Sequence, residues 1–317
     1  MINIESIKGK IRSLAEKKNL KSQEVLQIYF FERFLDRLSK SSYKSNFVIK
    51  GEFLISSLIG IENRTTMDMD TTIKGIALKE EKIKEIVEEI ININVDDGIR
   101  FEIKDISYIR DEDEYENFRI SLMANVGKTK NPMKLDLTTG DAITPREIEY
   151  TYPCIFSKEA IKIMAYPLET ILAEKYETII RRNITTTRMR DFYDLYTLYK
   201  LKKDEINYKI LKEAIERTSN KRGSQEIIKD YEEIIKDIKD DSHLRFLWEV
   251  YLIENKYIGG LTFDKVVDVV TILSNRVSEM QYSRQCLGNY INILNIRLSY
   301  VKLFYSLLFN MIFCYFK

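Results

Sequence analysis

The chain has 317 residues, 44% of them hydrophobic and 31% charged. That length is ample for a buried core and suggests two domains. With only 4 prolines and 11 glycines, the composition excludes collagen-like, low-complexity and wholly disordered classes. Lys+Arg 50 against Asp+Glu 49 leaves a formal charge of +1, so no global polycation grips nucleic acid indiscriminately. One histidine, His243, excludes a zinc hydrolase built on several. Cys154, Cys286 and Cys314 are scattered, which implies no disulfide framework and points to a reducing, cytoplasmic compartment. The N-terminus lacks the basic and apolar regions of a signal peptide.

In chain order, 22–40 reads as a helix capped by Ser22, with an apolar stripe through Val25, Ile28, Phe31, Phe34, Leu35 and Leu38. Phe47–Ile49 reads as a buried strand that closes at Gly51 and runs into a helical 53–59. Strand 67–73 follows, then an amphipathic helix over 78–90. Strands 99–109 and 118–126 flank an acidic loop at 111–114, and 133–138 adds another strand. After the Tyr152-Pro153 break the periodicity turns helical, over 167–182, 190–202, 209–217, 225–239 and 263–280. The expected division is 1–150, mixed α/β, and 151–317, helical. Leu303–Phe316 is apolar except for Ser306 and Asn310. It is too short for a membrane span and reads as a buried or partner-facing helix.

The sharpest chemical signal is Asp68-Met69-Asp70. Residues i and i+2 of a strand share a face, so both carboxylates point one way. Like charges held that close call for a cation, and all-oxygen ligands suit Mg²⁺ or Mn²⁺. Downstream, Lys134, Asp136 and Thr138 share a face of a later strand, where Asp136 can supply a third carboxylate. Gly51 closes a strand and opens a helix whose N–H groups can cradle a phosphate. In the helical half, Glu169–Arg182 carries Lys175 and Arg182 on one stripe, and Arg188-Met189-Arg190-Asp191 opens the next helix. There, Asp191 and Asp194 share a face.

Four segments, Val48–Ile73, Met133–Pro145, Glu169–Arg182 and Arg188–Tyr196, resemble in order and spacing the AbiEii abortive-infection toxins. That family belongs to the DNA-polymerase-β-like nucleotidyltransferases. The resemblance implies an α+β protein, with an N-terminal nucleotidyltransferase domain on a mixed sheet followed by an all-helical domain that completes the active site. It implies the toxin of a bacterial toxin–antitoxin system for phage defence, which uses a nucleoside triphosphate, GTP being the first to test. The acceptor it suggests is the 3′ end of tRNA. Its antitoxin, encoded alongside, makes no direct contact. Position by position, Asp68, Asp70 and Asp136 become metal ligands, and Asp191, Lys175 and Asp136 catalytic residues. Gly51, Glu52, Lys134, Lys175, Arg182 and Arg190 become nucleotide-binding residues. The chain departs from the family at Glu52, where a small residue is usual and where a carboxylate would compete with the triphosphate. An NTP-binding module, or an enzyme impaired by Glu52, without transfer is therefore an alternative, and a small-molecule nucleotidyltransferase a third reading.

Overall fold

The computed structural model describes residues 4–77, 79–109, 117–157 and 159–279. It divides into two compact units at Thr271/Ile272, and the first holds every element discussed below except the end of the helix over 263–279. The expected acidic loop at 111–114 and the apolar segment 303–316 lie outside the described residues.

Two helices precede the sheet, α1 (Ile4–Lys18) and α2 (Ser22–Lys40). Helix α1 buries Ile7, Ile11 and Ala15, spaced by four, and α2 buries Val25, Ile28, Phe31, Phe34, Leu35 and Leu38. The chain then forms β1 (Phe47–Lys50), α3 (Gly51–Ile59), β2 (Asp68–Ile73) and α4 (Glu80–Ile91). Five strands follow: β3 (Arg100–Ile109), β4 (Asn117–Val126), β5 (Thr129–Thr139), β6 (Ile148–Pro153) and β7 (Ala160–Ala165). They build one mixed seven-stranded sheet in the order β3-β4-β5-β2-β1-β7-β6. The β2–β5 and β1–β7 pairs are parallel and the others antiparallel. The rest is helical: α5 (Leu168–Arg182), α6 (Met189–Lys202), α7 (Tyr208–Lys221), α8 (Gln225–Lys229), α9 (Tyr231–Asp240), α10 (Ser242–Glu254) and a helix over 263–279. The fold is α+β, a mixed sheet followed by helices. No helix among the described residues is long and apolar enough to cross a membrane.

The change from sheet to helix falls later than the expected 150/151. Strand β6 lies at the sheet edge, mostly exposed, and ends in Pro153, so its periodicity is weak. Strand β7 alternates cleanly, with Ile161, Ile163 and Ala165 buried, but it is short and pairs in parallel beside β1. The expected helix 225–239 is two helices, and α10 begins where the Asp241 carboxylate accepts the Leu244 N–H at 2.7 Å.

Two buried acids tie α2 to the sheet. Arg37 donates to both oxygens of Asp97, at 2.7 and 2.8 Å, and to the Ile99 carbonyl, which fixes α2 against the start of β3. A fork-to-carboxylate pair of this kind meets both charges with directed hydrogen bonds. Glu32 has no such partner. It is 1% exposed and accepts the Ile155 N–H at 2.7 Å. Burial pushes its carboxyl up from 4.5 to about 8, against the opposing pull of that N–H and of Arg33.

The linkage has a definite sign. Between about 4.5 and about 8 the native chain holds a proton that the unfolded chain has lost. This group's contribution to stability is therefore full below that window and is lost as pH rises through it. Glu32→Gln keeps the acceptor and removes the titration. It should raise Tm over wild type at pH 9, by an amount on the order of a few kcal/mol in stability, and change it little at pH 5. Thermal melts of both proteins at the two pH values check this, and an equal difference at both would refute it.

Candidate active site

Strand β1 ends at Lys50 and the chain turns into α3 through Gly51, whose φ is +65°. Left-handed backbone there favours glycine. Space demands it as well: a Cβ on Gly51 would lie 2.0 Å from Asp70 Oδ2. The close approach of the α3 N-terminus to the β2 carboxylate therefore depends on the absence of a side chain at this one position.

The sheet register sets the rest of the floor. Lys50 on β1 pairs with Asp70 on β2, Asp70 with Asp136 on β5, and Asp136 with Arg119 on β4. Directly paired residues face the same way. A row of cation, anion, anion and cation therefore crosses four adjacent strands. Asp68, one step along β2, pairs with Lys134.

The two ends of the row are held differently. Lys50 Nζ donates to Asp141 at 2.6 Å and to Thr138 at 2.7 Å, and Thr138 also donates to Asp141. Burial would lower the Lys50 ammonium, but Asp141 and Glu174 outweigh it and raise it. Burial likewise opposes Asp141, yet Lys50 and the hydroxyls of Thr72 and Thr138, which both donate to it, hold its carboxyl far below the usual range. At the other end, Arg119 donates to both oxygens of Asp136, at 2.8 and 2.6 Å.

Asp68 and Asp70 differ from both. Among the described residues, neither carboxylate receives a hydrogen bond. Burial pushes both above the usual range; Lys134 opposes this for Asp68 and Lys50 for Asp70, while Asp136 and Glu52 add repulsion. Two desolvated, under-partnered carboxylates on one face fit a hard divalent cation. Asp136, expected as the third ligand, differs from the pair in that Arg119 engages both its oxygens. Among the described residues no group of three or more His, Cys, Asp or Glu is arranged to hold a metal.

The facing wall comes from α5 and α6. Lys175 Nζ lies 2.6 Å from Asp191 Oδ1 and 2.9 Å from Asp194 Oδ2, and Arg188 Nε donates to Asp191 Oδ2 at 2.6 Å. Asp194 also accepts from Arg64 Nε at 2.9 Å. A second Arg64 nitrogen sits 2.7 Å from Glu52 Oε1, as a charge contact rather than a directed hydrogen bond. Arg190 donates to the same Glu52 oxygen at 2.7 Å. Arg188, Asp191, Lys175, Asp194, Arg64, Glu52 and Arg190 thus form one alternating chain of charges joining α3, α5 and α6. Burial would lower Lys175, but the two aspartates raise it; burial would raise Asp191, but Lys175 and Arg188 hold it below the usual range.

Floor and wall enclose a cavity of about 370 Å³. Of the sequence-predicted residues, Gly51, Glu52, Asp68, Asp70, Asp136, Lys175, Arg190 and Asp191 line it. Lys134 lies outside that lining and is exposed. Arg182 also lies outside it, two turns beyond Lys175 on α5. Glu52 neither points to solvent nor stands as a free anion against a ligand, since two arginines hold it. Lys175 and Asp191, expected as reacting groups, are each other's counter-ions.

Sequence reasoning missed Lys50, Arg119, Glu174 and Arg222, all of which line the cavity. Arg222 is anchored by Glu177 at 2.6 Å, a fully buried acid that also accepts from Ser224 and Arg181. Lys50 was findable as the last residue of the strand before Gly51. Arg119 was findable from the buried alternation of Phe118, Ile120 and Leu122, which turns it to the opposite face.

Among curated proteins none matches the chain by sequence. Solved structures do resemble it. The crystal structure of JHP933 from Helicobacter pylori is 18% identical with a TM-score of 0.46, covering 85% of this chain and 99% of that one. An antigenic nucleotidyltransferase-like protein from Paracoccidioides brasiliensis is 16% identical with a TM-score of 0.35, covering 63% and 90%. A family model described as "Nucleotidyl transferase AbiEii toxin, Type IV TA system" matches residues 33–269, which span the whole floor and wall of the cavity. The chain belongs to the AbiEii nucleotidyl transferase toxin family.

Proposed function

We propose that the cavity binds a nucleoside triphosphate and that the chain transfers its nucleotide to an acceptor hydroxyl, arresting growth of the bacterium that makes it. The observation that carries this reading is the pair of under-partnered carboxylates, Asp68 and Asp70, facing a wall of anchored cations. A triphosphate needs both: cationic side chains for its oxygens and a counter-ion site at the reacting phosphorus. Asp68 and Asp70 would hold Mg²⁺ or Mn²⁺, which when bound would neutralise phosphate charge and ease loss of pyrophosphate. Arg190, half exposed, and Arg188 and Arg222 at the cavity edge would take the phosphates, since a guanidinium fork suits them. Lys175 and Asp191 act in this account as positioning residues, fixing α6 and with it Arg188 and Arg190.

The family relationship supports GTP as the first nucleotide to test and the tRNA 3′ end as the first acceptor. It also supports an antitoxin encoded alongside that makes no contact with the toxin. A second reading, NTP binding without transfer, is favoured by one observation, the engagement of both Asp136 oxygens by Arg119. Incubating the protein with each labelled NTP, Mg²⁺ or Mn²⁺ and total RNA separates the two. Labelled RNA supports transfer, whereas retained NTP with unlabelled RNA supports the second reading.

Asp70→Asn and Asp68→Asn should each abolish transfer and toxicity. Asp70→Asn should also raise Tm at neutral pH, because it removes a buried charge whose native pKa is raised. Full activity in either variant at equal expression would remove these residues from the site.

Lys175→Ala should leave Asp191 and Asp194 buried with their shared cation gone, costing about 3–5 kcal/mol. Chemical denaturation measures it, and a loss below about 1 kcal/mol would contradict the anchoring role.

Glu52→Gln should release Arg190 toward the cavity. The expected outcome is roughly tenfold tighter NTP binding together with a stability loss of about 1 kcal/mol. Calorimetric titration and melts on the same samples check it; a lower Tm with unchanged affinity would place Arg190 outside the phosphate site.

A further inference from the structure

The row of charges across the sheet has one fixed end and one that can let go. Lys50 is 13% exposed and is tied to both Asp141 and Thr138. Arg119 is 35% exposed, lines the cavity, and among the described residues bonds nothing but Asp136, itself 14% exposed. A guanidinium fork that covers both oxygens of a carboxylate occupies the directions from which a cation would be bound. A dication and the guanidinium would also repel each other across that carboxylate. Asp136 cannot serve both well.

We propose that Arg119 is an intramolecular competitor for the divalent cation. It holds Asp136 when no cation is present and must release it before the cation meets a third carboxylate. Arg119 thereby sets the metal affinity of the site, and the exchange couples metal arrival to the freeing of an arginine inside the cavity. This rests on the metal site of the proposed function and goes beyond it, because it assigns a role to a residue outside the expected set. A purely structural cross-strand pair would have the same distances, so the test must read the competition itself.

Mn²⁺ binding is measured without nucleotide, by the electron paramagnetic resonance of free Mn²⁺, on the full chain. The variants are Arg119→Ala, Arg119→Lys, Asp136→Asn, the Arg119→Ala/Asp136→Asn double variant and Asp68→Asn, with folding monitored by circular dichroism. Arg119→Ala should bind Mn²⁺ about tenfold more tightly than wild type. Arg119→Lys, which keeps the charge but lacks the fork, should fall between and serves if the alanine variant fails to fold. In the Asp136→Asn background, Arg119→Ala should have almost no effect. Unchanged or weaker Mn²⁺ binding by the folded Arg119 variants would overturn the competition. So would equal tightening in both backgrounds, which would mean that Arg119 acts only as a distant positive charge. If Asp68→Asn loses Mn²⁺ while the Arg119 variants match wild type, the metal site stands and the competition is wrong. If no variant binds Mn²⁺, both fall.

Discussion

Asp70 and Asp136 stand opposite each other on adjacent parallel strands, and the rest of the site answers the repulsion between them. Like charges directly paired across a sheet are destabilising. Here the register leaves no way to turn one aside, because a one-residue slip would expose Met69, Leu135 and Leu137 and bury the charges. The hydrophobic alternation of β2 and β5 therefore enforces the juxtaposition of the acids. Flanking cations on β1 and β4 reduce the cost without removing it, since both β2 carboxyls still rest above their usual range. A site that retains such unrelieved charge in a core region spends stability on something other than folding.

The wall opposite is built on a different logic. Every anion in the chain from Arg188 to Arg190 touches two cations, so each is well met and the helices they join are held firmly. Removing one member leaves a buried charge unmet, which is far costlier than the pair itself is stabilising. Glu52 belongs to this network. Its place in the first turn of α3 suits the helix dipole, and its two arginines balance its charge. A carboxylate that looks hostile to phosphate in the sequence is, in the fold, one of the struts that hold Arg190 at the cavity edge.

Much of the floor was legible in the sequence and much of the wall was not. Asp68 and Asp70 could be paired from period two alone, and Asp136 could be placed on the same face as Lys134 and Thr138. Both follow from local geometry. The role of Asp136 could not be read, because its partner lies on another strand and becomes visible only with the hairpin register. That register was nearly within reach: Gly127-Lys128 is a two-residue turn pairing Val126 with Thr129, and counting back from it brings Arg119 opposite Asp136. Arg64 and Arg222 were beyond reach. Each lies in a connection rather than a periodic segment, and its partners, Asp194 and Glu177, are 130 and 45 residues away. Strand β7 was missed for a related reason, since its six alternating residues are too few to outweigh the helical periodicity of α5 that follows directly.

The junction at Gly51 joins the two halves of this design. Its positive φ sends the chain from β1 into α3, and its missing side chain lets Asp70 lie against the start of that helix. The α3 N-terminus therefore already faces two anions, Asp70 on the sheet side and Glu52 on the helical side. A helix end carries roughly half a unit of positive charge, which is too little to favour a third, multiply charged anion by itself. If the cavity takes a triphosphate as proposed, attraction for it would come mainly from the arginines, each of which is paired with a carboxylate: Arg190 with Glu52, Arg188 with Asp191 and Arg119 with Asp136. Of these acids Asp191 is the most deeply buried, at 1% exposed, and is shared with Lys175, so its arginine is the most firmly held. Arg190 and Arg119 pair with acids nearer the solvent and are the two that a competing charge can draw away.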